Sequence, residues 1–386
     1  MYPNLYYIFK DLFGIEISGL KLVNSFGFFV AIAFLICAWV LTLELRRKQQ
    51  LGLFKHTEET IVIGAKASWQ ELLTNFALGF LFGYKIIGAF TVADALNDPQ
   101  AYILSTKGNM LVGLLLGLVF GILKWWEKNK EKLDKPETRT IRIWPQDRVG
   151  DIVIYAALFG FLGAKVFHNL ENWNEFVKDP IGSLISFSGL TYYGGLICAG
   201  IVILYYAKRK NIAIIHLLDS MATTMMLAYA LGRVGCQVSG DGDWGISNIN
   251  PKPFIWLPDW LWAYRYPHNV LGEGVPIRGC VGQYCNQLQI PVYPTALYEI
   301  IICLILFFIL WGIRKKVTIP GYLFGIYLIF NGLERFFIEK IRINTKYEFL
   351  PFQPTQAELI SSLLVISGVF LSIKSRNNSL KKKSLE

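Results

Sequence analysis

Two short stretches of this chain place arginine beside carboxylate side chains where a long apolar run ends. The first is GRVGCQVSGDGDWG, from Gly232 to Gly245, and the second is NGLERFFIEKIR, from Asn331 to Arg342. Charged groups are costly in lipid unless they face one another or a water-filled cavity. A fixed guanidinium is suited to binding phosphate, and a carboxylate to moving a proton. The two stretches therefore predict a polar site at a membrane face.

The composition indicates that membrane helices position these residues. Of 386 residues, 53% are hydrophobic and 17% are charged, and the mean hydropathy is +0.40. A soluble domain usually carries about 25% charged residues. Apolar runs of about 20 residues, the length that crosses a bilayer, predict an all-α polytopic membrane protein with about nine transmembrane helices. The runs lie near 22–44, 70–92, 110–126, 150–168, 189–207, 213–231, 295–313, 318–338 and 357–373.

The basic residues predict the orientation of these helices, because Lys and Arg gather on the cytoplasmic side. With the N-terminus outside, every second connection is basic, as is the C-terminal tail, and this pattern predicts an N-out, C-in arrangement. The net charge of +10 is then explained by topology. Nucleic-acid binding would require a basic face with interleaved aromatic residues, and it is not expected here.

The chain divides into five predicted segments. Two glycine-rich stretches resemble each other, GFLFGYKIIGAF at 79–90 and FGFLGAKVFHNL at 159–170. The segment around the first stretch, 60–135, is therefore interpreted as an extra transmembrane hairpin and a possible repeat. A chance likeness between glycine-rich helices is the alternative. The segments are a periplasmic N-terminal segment (1–21), the first span with its cytoplasmic loop (22–59), the extra hairpin with a basic loop (60–135), a membrane core (136–375) that includes a structured periplasmic loop (232–294), and a basic cytoplasmic tail (376–386).

Cys280 and Cys285 fall in the predicted periplasmic loop. That side of a bacterial inner membrane is oxidising, so the sequence predicts a disulfide between them. A metal site is not expected there, because the sequence near the two cysteines contains a single histidine, His268.

Five motifs occur in a fixed order along the predicted core. They are LFGFLGAKVFHNL, GLTYYGGLICAG, GRVGCQVSGDGDWG, YPTALYE and NGLERFFIEKIR. In order and membrane side, they resemble the motifs of bacterial prolipoprotein diacylglyceryl transferases. The resemblance implies a cofactor-independent enzyme of the bacterial inner membrane, with its active site near the periplasmic face. Its expected partners are phosphatidylglycerol, the signal segment of a lipoprotein precursor and membrane lipids. The implied reaction moves the diacylglyceryl group onto the lipobox cysteine thiol and releases glycerol phosphate.

The resemblance implies five catalytic residues. Arg233 and Arg335 are expected to bind the phosphate of the leaving group, and Glu339, four residues after Arg335, to orient that arginine. Asp241 stands where the family has glutamate, and it is expected either to pair with Arg233 or to take part in proton transfer. Tyr193 stands where the family has a histidine base, and it is expected either to accept a proton or to bind the headgroup.

A second set is expected to bind substrate. Lys165 stands at a family arginine and is suited to hold a lipid phosphate as a point charge. His268, in the periplasmic loop, is an alternative base. The complete set is Lys165, Gln237, Asp243, His268, Asn269, Tyr298 and Glu299.

Some positions depart from the family pattern. Cys236 replaces an asparagine and is interpreted as a packing residue, because no partner base lies within its motif. Asn331 replaces a tyrosine. Two other functions are therefore kept open: a catalytically weakened relative that binds phospholipid or lipoprotein as a membrane assembly component, and a small-molecule transporter, for which an incomplete parallel repeat gives slight support.

Overall fold

The computed structural model describes residues 1–92, 95–96, 99–186, 189–344, 347 and 353–383. Within these residues the chain is mostly helical and forms two compact units. Unit 1 contains Met1–Glu16, Val23–Phe54 and Ile212–Glu386, and unit 2 contains Ile17–Leu22 and Lys55–Asn211. Residues 384–386 of the predicted tail lie outside the described residues.

Unit 1 holds seven α-helices and one very short antiparallel strand pair among the residues that are described. They are α1 (Leu5–Phe13), α2 (Ser25–Gln50), α10 (Ile214–Ser239), α11 (Asp259–Trp262), β3 (Val275–Pro276), β4 (Asn286–Gln287), α12 (Thr295–Ile313), α13 (Tyr322–Glu339) and α14 (Gln356–Lys383).

The described part of unit 2 holds seven α-helices and a longer strand pair. They are β1 (Thr57–Ile63), α3 (Trp69–Leu81), α4 (Pro99–Leu104), α5 (Met110–Lys130), β2 (Glu137–Ile143), α6 (Val149–Glu171), α7 (Trp173–Phe176), α8 (Pro180–Ile185) and α9 (Tyr192–Arg209). A π-helical turn, Phe82–Ile87, and a 3₁₀ turn, Gly88–Phe90, continue α3.

Seven helices in the described ranges are long and apolar enough to cross a membrane, so the chain is a polytopic helical membrane protein. They are Ser25–Gln50, Trp69–Phe90, Met110–Lys130, Pro145–Glu171, Ile214–Ser239, Thr295–Ile313 and Gln356–Lys381. The other two predicted spans form α9 and α13, each 18 residues long. They are more polar: α13 contains Glu334, Arg335 and Glu339, and α9 ends on Lys208 and Arg209. Nine spans and the N-out, C-in orientation stay predictions.

The core of unit 1 forms around α10, which packs against α2, α12 and α13. Ala222, Met226 and Leu310 are fully buried in this core. α13 in turn packs closely against α14, and Gly332 permits the contact, because a Cβ there would lie 2.6 Å from the Ser361 carbonyl oxygen. Small residues at helix interfaces are a common means of close approach in membranes.

The segment between α10 and α12 is structured, as the sequence predicts. A small buried core of Trp244, Tyr266, Leu288 and Val292 holds it together. The structure joins Cys280 and Cys285 by a disulfide with a Cα–Cα distance of 5.6 Å. Three main-chain bridges tie it to its own ends and to the chain after α13.

The β1–β2 ribbon in unit 2 was not predicted. The strands pair antiparallel from Thr57↔Ile143 to Ile63↔Glu137. They flank α3, α4 and α5, which contain the predicted extra hairpin. The all-α description therefore holds for the membrane spans but omits this ribbon. α3 packs against α5, and α6 packs against α9, within the same unit.

Candidate active site

Glu299 lies at the centre of a buried cluster of charges in unit 1. Its carboxylate is fully buried and is 3.0 Å from Arg233 Nε, 3.1 Å from Arg335 Nη1 and 3.4 Å from Arg342 Nη1. The hydroxyl of Tyr229 donates a hydrogen bond to Glu299 Oε1 at 2.7 Å. Three guanidinium groups, from two stretches about 100 residues apart in the sequence, thus converge on one carboxylate.

Helix geometry explains how these side chains meet. Tyr229 and Arg233 are four residues apart and share one face of α10, and the guanidinium carbon of Arg233 lies 5.4 Å from the centre of the Tyr229 ring. Arg335 lies near the end of α13, and Glu299 lies in the second turn of α12. Since α12 and α13 both pack against α10, the three helices bring these groups together.

The predicted pair between Arg335 and Glu339 is present in the structure. Arg335 Nη2 lies 2.8 Å from Glu339 Oε2, one turn along the same helix. Glu339 is 3% exposed, and its other oxygen accepts hydrogen bonds from Asn344 Nδ2 and, at 2.8 Å, from Thr355 Oγ1. Glu339 is itself held by two donors, so it fixes the orientation of the Arg335 guanidinium.

Asp243 pairs with two of the arginines. Its carboxylate forms an ion pair with Arg233 and accepts from Arg342 Nη2 at 2.6 Å. Burial alone would raise the pKa of Asp243, but Arg233 and Arg342 outweigh this effect and lower the pKa to about 2. Asp243 is therefore ionised at neutral pH and balances the two guanidinium groups. The Thr295 hydroxyl donates to the Asp243 carbonyl oxygen at 2.8 Å and fixes the main chain there.

Asp241 lies beside this pair rather than in it. Its Oδ1 accepts from the Asp243 amide at 3.4 Å. Burial raises the pKa of Asp241, and the neighbouring Asp243 carboxylate raises it further. Of the two alternatives that the sequence offered, the ion pair with Arg233 is formed by Asp243 and not by Asp241. Proton transfer by Asp241 stays a prediction.

Gly245 allows the loop after α10 to approach the chain after α13. A Cβ at this position would lie 2.5 Å from the Ile341 carbonyl oxygen. Gly245 forms a β-bridge with Arg342, and the Ile246 amide donates to Ile341 O at 2.9 Å. These main-chain contacts place Asp243 and Arg342 next to each other.

Three potential metal ligands also lie in this loop region. The ligand atoms of Cys236, Asp241 and Asp243 lie within 4.8 Å of one another. Arg233 and Arg342 already neutralise Asp243, which leaves little net negative charge for a cation. Cys236 is buried and its sulfur lies 3.7 Å from Arg233 Nη1. We assign no metal to these residues.

Several residues predicted to bind substrate make contacts that stabilise the loop. Gln237 Oε1 accepts from the Tyr266 hydroxyl at 3.0 Å, and the Tyr298 hydroxyl donates to Leu261 O at 2.7 Å. Asn269 is fully buried, donates to the Tyr266 and Glu273 carbonyl oxygens and accepts from the Glu273 amide. These contacts give the three side chains a structural part, and a further part in binding stays a prediction.

His268 lies against the disulfide. Its Nδ1 is 2.7 Å from the Tyr284 carbonyl oxygen and 4.0 Å from Cys280 Sγ. A carbonyl partner selects the tautomer with the proton on Nδ1. The contacts made by His268 are thus to its own loop, and its part as a base stays a prediction.

Lys165 and Tyr193 belong to unit 2. Lys165 is 4% exposed, and its ammonium donates to Ser186 Oγ at 2.9 Å. Tyr193 lies in the first turn of α9 and packs edge to face on Tyr192. The catalytic part of Tyr193 stays a prediction.

Sequence reasoning missed two members of the cluster, Tyr229 and Arg342, and one buried carboxylate next to Arg335 in the sequence, Glu334. Tyr229 and Arg342 were detectable by spacing, since Tyr229 precedes Arg233 by four residues and Arg342 follows Glu339 by three. Glu334 was detectable as a carboxylate within an apolar run, which is rare in membrane helices. Glu334 is 6% exposed, and neither of its carboxylate oxygens has a hydrogen-bond partner among the residues that the structure describes.

The sequence of this chain is also similar to a known protein family. The family model described as prolipoprotein diacylglyceryl transferase matches residues 109–374. This range begins just before α5, inside the predicted extra hairpin, so the assignment of that hairpin as an addition stays a prediction.

Curated relatives named phosphatidylglycerol–prolipoprotein diacylglyceryl transferase are similar over most of their length. The protein of Staphylococcus haemolyticus is 28% identical over 232 residues, which cover 60% of this chain and 74% of the relative. The protein of Clostridium novyi is 30% identical over 239 residues, or 62% and 82% of the two chains. The protein of Staphylococcus aureus strain MSSA476 is 29% identical over 280 residues, or 72% and 89%.

Proposed function

This chain belongs to the prolipoprotein diacylglyceryl transferase family, and we propose that the Glu299 cluster is the centre of its active site. The chain transfers the diacylglyceryl group of phosphatidylglycerol to the lipobox cysteine thiol of a prolipoprotein. In this reaction a carbon–sulfur bond forms on the glyceryl carbon that carried the phosphate ester. The bond from that carbon to oxygen breaks, and glycerol phosphate leaves with the electron pair.

The observation that carries the proposal is the convergence of Arg233, Arg335 and Arg342 on Glu299. The Arg233 and Arg335 side chains keep 15% exposure, whereas Glu299 has none. The cations therefore lie on the outer side of the carboxylate, where an anionic group arriving from outside would meet them first. Arginine binds phosphate oxygens in a fixed bidentate geometry, and fixed donors stabilise charge that develops on a leaving group.

The carboxylates hold these cations in place and balance their charge. Asp243, Glu299 and Glu339 all form ion pairs with the arginines. An array held in this way needs little reorganisation when the negative charge of glycerol phosphate develops, which is the condition for electrostatic catalysis.

Asp241 is our candidate for proton transfer from the thiol. A thiol needs a base because the thiolate is the nucleophile. Asp243 supplies the ion pair to Arg233, which leaves Asp241 for the second of its predicted parts. The raised pKa of Asp241 makes it a stronger proton acceptor than an ordinary carboxylate. Tyr193 and His268 are the alternative bases.

The bilayer arrangement is also a proposal. We place the chain in the bacterial inner membrane, with nine spans, the N-terminus outside and the cluster near the periplasmic face, where the lipid and the signal segment of the precursor meet. The regular alternation of basic connections supports this arrangement. An 18-residue helix such as α9 or α13 is about 27 Å long, close to the hydrocarbon thickness of about 30 Å. Cysteine accessibility in intact spheroplasts tests each connection.

A reconstituted transfer assay tests the function directly. The purified chain in phosphatidylglycerol nanodiscs is mixed with a fluorescent lipobox peptide, and the diacylglyceryl adduct is detected by mass. Arg335→Gln is expected to lower kcat roughly 100-fold, the usual cost of losing one donor to a developing charge. Arg376→Gln, at an exposed position of α14, is the matched control and should transfer at the wild-type rate. Equal rates in the two variants would remove Arg335 from the mechanism.

An assembly role is the second candidate, and the departures at Cys236, Asn331 and Tyr193 favour it. It predicts that the chain binds phosphatidylglycerol but forms no adduct and fails to complement a strain depleted of its own transferase. Adduct formation by the wild-type chain would exclude it.

A further inference from the structure

One loop of unit 1 carries a concentrated set of exposed, large apolar side chains. The loop comprises residues 249–261, in the segment between α10 and α12. Ile255 is 99% exposed and Trp256 is 76% exposed, and Phe254 and Trp260 are each more than half exposed. The buried core of the same segment is formed by other residues, so the folding of the segment does not explain these four. A contiguous exposed apolar patch usually marks an interaction surface.

The loop is closed at its base, which gives the apolar side chains a fixed support. Asn248 is 1% exposed, and its Nδ2 donates to the Trp262 carbonyl oxygen at 2.6 Å. The Trp262 Nε1 in turn donates to the Asn250 carbonyl oxygen at 3.0 Å. These two hydrogen bonds join the two ends of the loop, as in the compact surface loops that are often functional.

The far end of the loop is a β-turn. The Leu257 amide donates to the Phe254 carbonyl oxygen at 3.1 Å, so Ile255 and Trp256 are the two central residues of the turn. The rings of Phe254 and Trp256 stack with their centroids 5.5 Å apart. Phe254, Ile255 and Trp256 form the loop tip, which presents two rings and one aliphatic side chain as an ordered surface.

The charge of the loop favours a lipid surface as its partner. Between Asn248 and Trp262 the charged residues are Lys252 and Asp259, and they form an ion pair with an Nζ–Oδ1 distance of 2.8 Å. The loop therefore has no net charge with which to attract a charged macromolecule. Tryptophan and other aromatic side chains are enriched where a bilayer meets water, because one part of the ring system is apolar and another is polar.

A contact with α12 places the base of the loop at a membrane face. The Tyr298 hydroxyl donates to the Leu261 carbonyl oxygen at 2.7 Å. Tyr298 lies in the first turn of α12, which is long and apolar enough to cross a membrane. The exposed isoleucines of α12 begin at Ile301, and three residues of helix rise by about 4.5 Å. The base of the loop thus lies where the lipid-covered surface of α12 begins.

We propose that the loop tip inserts into the interfacial layer of the bilayer, in the leaflet where α12 begins. The partner is the lipid surface as a whole, whatever its headgroups, and not a phospholipid held as a substrate. Insertion would fix the depth of the Glu299 cluster, because the chain runs directly from Asp243 to the base of the loop at Asn248. Only this consequence rests on the proposed function.

Photocrosslinking tests the insertion. Ile255→p-benzoylphenylalanine in the full-length chain reacts with whatever lies against that side chain. The chain is reconstituted in phosphatidylcholine liposomes with a lipobox peptide present, illuminated and analysed by mass spectrometry. Val281→p-benzoylphenylalanine is the matched control, because Val281 is also 99% exposed in the same segment but has glycine and polar neighbours. We expect roughly tenfold more phosphatidylcholine adduct at position 255, because only the loop tip has the composition of a membrane interface.

The other outcomes of this experiment would overturn the proposal. A crosslink to the peptide would assign the loop tip to the lipoprotein precursor, and a crosslink to a second copy of the chain would assign it to self-association. Equal lipid adducts at the two positions, or none at either, would show that the loop tip has no preference for lipid.

A charge placed in the loop tip provides a second, independent measurement. Ile255→Asp, combined with Trp256→p-benzoylphenylalanine, should lower the lipid adduct roughly fivefold, because a carboxylate is costly in lipid. Val281→Asp in the same background should leave the adduct unchanged. A lipid adduct that Ile255→Asp does not reduce would refute insertion. Neither measurement requires transfer activity, so a chain that fails to transfer can still confirm or refute the anchor.

Discussion

Replacing Glu299 by glutamine should disable the charge cluster without altering its shape. Glutamine has nearly the same volume as glutamate and keeps one acceptor oxygen, but it carries no charge. Arg233, Arg335 and Arg342 would then lose the carboxylate that they share. Tyr229 would keep an acceptor only if the amide oxygen faces it.

The expected magnitude follows from the burial of Glu299, which is fully inaccessible. Removing one partner of a buried ion pair costs about 3–5 kcal/mol, because the other charge is left uncompensated. Asp243 and Glu339 still pair with the arginines, so we expect the lower end, about 3 kcal/mol. This cost falls on the free energy of unfolding. For the transfer step we expect a roughly 100-fold loss in kcat/KM, the usual cost of losing one fixed donor to a developing charge.

The assay compares peptide transfer and thermal unfolding in nanodiscs for the wild type, Glu299→Gln and a control. Glu137→Gln is the matched control, because Glu137 is 55% exposed and pairs with an exposed arginine. Exposed pairs contribute about 0–1 kcal/mol, so this control should behave as the wild type does.

A double variant tests whether the cluster acts as one network. Glu299→Gln combined with Arg335→Gln should lose less than the sum of the two single losses, with a coupling energy of roughly 0.5–3 kcal/mol. Simple additivity, or a Glu299→Gln variant that transfers and unfolds like Glu137→Gln, would show that the buried carboxylate does not organise the arginines.

Three further changes have defined expected outcomes. The pKa of Asp243 is lowered to about 2, below its ordinary value of 3.8, so its ionised form stabilises the fold above about pH 4 and this contribution is lost as the pH falls towards 2. Asp243→Asn should therefore lower the melting temperature at pH 7 but not near pH 2. An equal effect at both pH values would contradict the ion pairs. The pKa of Asp241 is raised, so its ionisation lowers the stability of the fold as the pH rises through that pKa. Asp241→Asn should therefore raise the melting temperature at pH 7 and lower the transfer rate. A lower melting temperature in this variant would contradict the reasoning. Gly332→Leu should separate α13 from α14, because its Cβ would lie 2.6 Å from a carbonyl oxygen; we expect a fall in melting temperature that Gly312→Leu, where nothing lies within 4 Å, does not show.

The sequence predicted the parts of the site that depend on helical spacing. Arg335 and Glu339 were placed together because four residues make one turn, and the structure has this pair at 2.8 Å. Arg233 and Arg335 were expected at one site from their motifs, and both contact Glu299. Glu299 was expected to bind substrate; the structure shows it fully buried in contact with the arginines, and a part in substrate binding stays a prediction.

Local spacing did not reveal which aspartate pairs with Arg233. Asp241 and Asp243 are two residues apart, and Gly240 and Gly242 have φ angles of 65° and 97°. Such left-handed residues change the chain direction in ways that a regular pattern does not encode. The contact also depends on Gly245 meeting the chain near Ile341, about 96 residues later in sequence, and long-range contacts of this kind have no local signal.

The β1–β2 ribbon was missed for a similar reason. Thr57 pairs with Ile143, and the helices α3, α4 and α5 separate the two strands in the sequence. Each strand has seven residues and follows or precedes a basic segment, so composition suggested a cytoplasmic loop. Single strands of this length are weak signals until their partner is known.

The ribbon holds the two ends of the segment that contains α3, α4 and α5 next to each other. Ile63 pairs with Glu137, so the chain leaves and returns across one interstrand spacing of about 5 Å. A segment inserted at such a junction would leave the flanking ends in place, as the prediction of an added hairpin requires. Joining residue 63 directly to residue 137 by a tight Asn-Gly turn therefore tests that prediction, because a shortened chain that still folds and transfers would support it and one that does not fold would contradict it.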